Sequence, residues 1–73
     1  MNKDIKRWKH AKLQVLISGK LLGTGTDGNQ YIVFNKGEEF WADDVYRTNK
    51  LDFTFCDLQF PNVALAMFTL VEG

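Results

Sequence analysis

His10 and Cys56 are the single histidine and the single cysteine of the 73 residues, and together they could supply a base and a nucleophile. That chemistry needs a thiolate, with the imidazole within hydrogen-bond reach. His10 lies in a polar, basic N-terminal stretch. Cys56 closes an alternating apolar segment, where a lone cysteine behaves as a small hydrophobe. Asp43-Asp44 offers two adjacent carboxylates for metal or acid–base work. Neighbours on a strand point to opposite faces, however, and no further ligand set accompanies them, so helix capping is the expected role. Gly19-Lys20 is followed by Leu21 rather than the hydroxyl residue of a phosphate-binding loop. Ser18 is the lone serine and is expected inside a strand, not at a nucleophile elbow. No enzymatic constellation emerges, and the chain reads as a non-enzyme without a cofactor or small-molecule substrate.

What the residue types do favour is contact. Six phenylalanines, two tyrosines and two tryptophans are dense for this length. Each buries a large area, which a chain too short for an extensive core requires. A single cysteine excludes an intrachain disulfide, and a single histidine excludes a histidine-rich metal site. No apolar run reaches the roughly 18 residues of a membrane span, and no signal peptide is visible, so a cytoplasmic protein is expected.

The formal net charge is zero but unevenly placed. Residues 1–20 hold six cations against Asp4 alone, whereas residues 21–73 hold three against eight acids. Residues 1–12 therefore read as a basic N-terminal arm on an acidic body formed by residues 13–73. Lys6, Arg7, Trp8, Lys9 and Lys12 are the candidate nucleic-acid contacts, since small barrels bind strands through basic grooves and aromatic platforms. Residues 1–4 are expected to be poorly ordered, with Trp8 the first anchored side chain.

These residues must be positioned by strands. Leu13 to Trp41 reads as a meander of two hairpins. Leu13, Val15, Ile17 and Leu21 share one parity, the period of a half-buried strand. Asp27-Gly28 suits a two-residue hairpin turn. With those two residues as the loop, Leu21 would face Phe34 and Leu22 would face Val33. Asn35-Lys36-Gly37 suits a three-residue hairpin loop, which would set Phe40 against Ile32 and Trp41 against Tyr31. A short helical turn is expected at 43–48. A fourth strand follows at Leu51–Cys56, then a loop over Asp57–Asn62. The run Val63–Val71 is apolar on both parities, and a strand pairing with Leu51–Cys56 is chosen over a short helix. The whole reads as a mostly β domain, a five-stranded antiparallel meander or SH3-like partly open barrel. Val15, Ile17, Ile32, Phe34, Phe40, Phe53 and Phe55 form the expected core.

The second face of that meander would carry Leu22, Tyr31, Val33 and Trp41. Apolar residues on both faces imply that a partner covers one of them. The expected function is therefore a small protein–protein interaction module, a self-associating homodimer or a regulator or inhibitor of another protein. Nucleic-acid binding by the basic arm is the alternative.

Overall fold

The computed structural model describes residues 5–73. Among them, seven strands form one antiparallel sheet in the order β3-β2-β6-β5-β4-β1-β7. The strands are β1 Lys6–Val15, β2 Gly19–Gly25, β3 Gly28–Phe34, β4 Glu39–Arg47, β5 Leu51–Phe55, β6 Leu58–Val63 and β7 Phe68–Glu72, with a 3-10 turn at Leu65–Met67. The protein is mostly β, as the alternation predicts, but with seven strands rather than the five of the expected SH3-like meander.

The largest correction concerns the N-terminus. Residues 6–12 are not an arm. They continue into the longest strand, β1, which lies between β4 and β7. Polar side chains do not preclude a strand whose outer face meets water. The expected disorder of residues 1–4 concerns positions outside the described residues. Trp8 is partly buried against the core, as an anchor should be.

The expected strand Leu13–Leu21 is broken. β1 stops at Val15 and β2 starts at Gly19, with Ser18 in the bend, where its hydroxyl accepts the Lys36 N–H at 2.7 Å. Ile17 is consequently exposed rather than buried. The β2–β3 hairpin forms, but Thr26 and Asp27 are its turn residues, and Leu21 faces Ile32 rather than Phe34. This is a two-residue shift, so every side chain keeps its expected face.

β3 and β4 do not form the second hairpin. Gly37, at φ +93°, closes a tight turn in which the Glu38 N–H donates to the Asn35 carbonyl, and this turn is held by the end of β1. β4 then pairs with β1, so Phe40 faces Leu13 and Trp41 faces Lys12. The helical turn expected at 43–48 is absent, because β4 runs through to Arg47. Asp44 adopts φ +49° within it, at an irregularity in the pairing with β5. There Phe40 and Ala42 hand the inward face to Val45, a change of parity that a bulge produces.

The expected loop over 57–62 is instead mostly β6. A tight turn at Cys56-Asp57, both at positive φ, joins it to β5. Asn62, at φ +56°, moves the inward face from Phe60 to Val63. The final apolar run divides into the 3-10 turn and β7, and β7 pairs with β1 rather than β5.

All six phenylalanines converge on the inner face. Phe34 lies with its ring centroid 5.2 to 6.4 Å from those of Phe40, Phe53, Phe55, Phe60 and Phe68. Because Phe34 ends β3 and Phe68 opens β7, this contact draws together the two edges of a coiled sheet. Ile32, Phe40 and Phe55 are only partly buried beside Phe34 and Phe53. Gly23 lies where β2 packs tightly against β6: a Cβ there would lie 2.7 Å from the Leu58 Cβ.

Two outcomes test this packing by chemical denaturation. Phe34→Ala removes the common neighbour of five rings and should cost about 3–5 kcal/mol, enough to unfold a marginally stable domain. Gly23→Ala should destabilise by about 1–3 kcal/mol through overpacking, although alanine is otherwise the better strand residue; unchanged stability would mean that β2 does not lie this close to β6.

Candidate interaction surface

Two outer surfaces carry the residues singled out from sequence. On the first, β1 and β4 lie side by side. The His10 ring stacks on the Trp41 ring with centroids 4.7 Å apart and planes 7° from parallel. His10 Nδ1 lies 2.7 Å from Asp43 Oδ1. Lys12 Nζ lies 3.0 Å from Glu39 Oε1, and the Arg7 guanidinium sits 4.9 Å from the Tyr46 ring centre. The hydrogen bond and charge of Glu39 raise the Lys12 pKa above its ordinary value. A raised cationic pKa means that the pair supports folding at neutral pH and is lost only as the pH climbs past the lysine range.

This arrangement disperses the expected nucleic-acid contacts. Trp8 turns inward against the core, so it offers no platform for a base. Lys12 faces a carboxylate, and Arg7 covers a tyrosine. Lys6 and Lys9 are exposed. The feature invisible in the sequence is that β4 lies beside β1, which sets Asp43 opposite His10 and brings Glu39 diagonally within reach of Lys12.

On the second surface, β3 is an edge strand with no neighbour on its outer side among the described residues. Leu22 faces Tyr31 across the hairpin, and Lys20 faces Val33. Tyr31 is 60% exposed, Val33 61% and Leu22 43%. Lys20 Nζ lies 5.0 Å from the Tyr31 ring centre, a cation over an aromatic face. The structure thus brings three of the four expected partner-binding residues together. Trp41, also 43% exposed, is set apart by β2, β6 and β5 because the hairpin that would have joined it to Tyr31 does not form. Sequence reasoning missed Lys20 as a member of this surface. It also missed the edge position of β3, for which no signal was present: Gly28 to Phe34 carries none of the charges that ordinarily mark an edge strand.

The candidate catalytic groups are separated. His10 is engaged by Asp43 and Trp41, while Cys56 is exposed in the β5–β6 turn, beyond the strand that pairs with β4. No group of three or more His, Cys, Asp or Glu side chains arranged to hold a metal occurs among the described residues. A cleft of about 240 Å³ opens beside β7, floored by Leu13, Val45, Leu51 and Phe68, with Arg47 and Thr69 among its lining. Its lining offers no carboxylate, thiol or imidazole for chemistry. Among the described residues, no helix is long and apolar enough to cross a membrane.

The two tryptophans report on this geometry separately. With Trp41→Phe, the remaining Trp8 emission should be blue-shifted and weakly quenched by acrylamide. With Trp8→Phe, Trp41 should emit further to the red and quench readily, and His10→Ala in that background should increase the quenching by uncovering one ring face. Equal accessibility of the two indoles would contradict the inward placement of Trp8. Compared with known proteins, the chain matches no protein family, no curated protein and no solved structure.

Proposed function

We propose that the protein is a non-enzymatic protein–protein interaction module that binds through the outer face of the β2–β3 hairpin. The observation that carries this reading is that Leu22, Tyr31 and Val33 stand exposed beside one another at a sheet edge that has no neighbouring strand among the described residues. Covering them would remove apolar surface from water at about 25 cal/mol per Å². Tyrosine is enriched among residues that dominate binding energy, because it combines a large rigid ring with a hydrogen-bonding tip. The ladder beneath already fixes the backbone, so little ordering cost remains to be met on binding. Such a module fits a self-associating protein, or a regulator or inhibitor that occludes another protein.

Nucleic-acid binding has weaker support. Its cations are distributed along a paired strand, and Lys12 is matched by Glu39. Phosphate binding rewards cations that are free to replace counterions.

The double variant Tyr31→Thr/Val33→Thr tests the proposal while keeping good strand formers in place. Both positions face solvent, so unfolding free energy should change by less than about 1 kcal/mol. Association, measured by sedimentation of the purified protein and by stoichiometric co-purification from its source cells, should fall by roughly tenfold or more. A wild type that neither self-associates nor retains any partner lost by the variant would defeat the proposal.

A further inference from the structure

The β2–β3 register fixes which main-chain groups of the edge strand point away from the ladder to β2. Gly25 and Gly28 flank the two-residue turn, and pairing runs from there to Gly19 and Phe34. In an antiparallel ladder, hydrogen-bonded and non-hydrogen-bonded pairs alternate. The turn makes Gly25–Gly28 a hydrogen-bonded pair, so Gly28, Gln30, Ile32 and Phe34 spend their N–H and C=O groups on β2. Asn29, Tyr31 and Val33 direct theirs away from the sheet. These three residues therefore present a row of donors and acceptors beside the exposed Tyr31 and Val33 side chains.

Edge strands are ordinarily protected by charge, proline or a bulge. β3 has none of these: Gly28-Asn29-Gln30-Tyr31-Ile32-Val33-Phe34 is uncharged, and its pairing with β2 is unbroken over seven positions. The opposite edge differs. β7 is five residues long, carries Glu72, and pairs with β1 through an irregularity at Lys12/Leu13.

We infer that β3 is the interface for a second copy of this chain, pairing antiparallel with the partner's β3 so that Tyr31 faces the partner's Tyr31 across a two-fold axis. This rests on the binding surface proposed above and names its occupant. The register is the one that uses every outward group: Asn29 faces the partner's Val33, Tyr31 the partner's Tyr31, and Val33 the partner's Asn29. Each of these pairs exchanges two main-chain hydrogen bonds. The contact is isologous and therefore closes as a dimer instead of propagating. Charge supports the same direction. Asp27 precedes the strand and Lys36 follows it, so antiparallel pairing brings the acidic end of each copy to the basic end of the other. On the outer face, Leu22 and Tyr31 continue into the partner's Tyr31 and the partner's Leu22 as one apolar row. The sheets of the two copies become continuous.

Amide hydrogen exchange on the full chain, read residue by residue across a concentration series alongside sedimentation equilibrium, tests this directly. The Asn29, Tyr31 and Val33 amides should be protected in the dimer and should exchange rapidly on dilution. The Gln30, Ile32 and Phe34 amides, bonded within the hairpin, should stay protected throughout. Val33→Pro deletes an outward N–H while sparing the ladder to β2, which edge positions tolerate. It should raise the dissociation constant roughly tenfold or more, whereas Val33→Ala, which keeps the N–H, should raise it less. If Val33→Pro perturbs folding, the exchange pattern of the wild type still decides. A chain that remains monomeric at millimolar concentration overturns the second-copy assignment but leaves the hairpin face open to a different protein. A dimer whose Asn29, Tyr31 and Val33 amides exchange freely, or whose protection appears on β7, overturns the strand pairing.

Discussion

The contact of Phe34 with the five other phenylalanines is the constraint on which the structure depends. A seven-stranded antiparallel sheet in a chain of this length has a strand to spare at each end and little else to cover its apolar face. Coiling solves that problem by making the sheet its own cover. Phe34 belongs to the last strand at one edge and Phe68 to the last at the other, and their rings meet edge to face at 5.2 Å. The electrostatics of aromatic rings favour such tilted arrangements over flat sandwiches. Phe53 and Phe60 add a closer-to-parallel pair on the neighbouring strands β5 and β6.

Coiling of that degree requires strands that change face. Asp44 and Asn62 occupy left-handed backbone conformations within β4 and β6 and shift the inward parity there. Aspartate and asparagine tolerate this conformation better than most residues. Gly23 meets a different demand, since the approach of β2 to the Leu58 and Phe60 side chains leaves no room for a Cβ. The Asn62 bulge is further tied down by its N–H, which donates to Asp52 Oδ1 at 2.7 Å. Local chemistry at these few positions thus permits a global curvature that the phenylalanine cluster then fixes.

The same coiling determines what the surface offers. Strands β1 and β4 become central neighbours, and their polar outer side chains satisfy one another: His10 with Asp43 and Trp41, Lys12 with Glu39. The β2–β3 hairpin is carried to the edge, where the outer side chains include Leu22, Tyr31 and Val33 and the outermost backbone has no neighbour among the described residues. One surface is thereby quieted, and the other is the natural candidate for contact.

The sequence by itself determined the secondary-structure class, the strand–turn–strand of β2 and β3, the strand at Leu51–Phe55, and the inward facing of Phe34, Phe53 and Val15. Each follows from local information, a period of two or a turn dipeptide, and even the two-residue register error left faces unchanged. It also marked Leu22, Tyr31 and Val33 as apolar residues on the face away from the core. Only the tertiary structure decided which strands are neighbours. Adjacent segments most often pair, so β3 and β4 read as a hairpin, yet β4 pairs with β1 over eight positions and brings Glu39 to Lys12 and Asp43 to His10. That choice separated Trp41 from Tyr31, turned the expected basic arm into a paired strand, and left β3 at the edge. Pairing between distant segments depends on the summed fit of whole strands around a shared core, a quantity that no window of sequence contains.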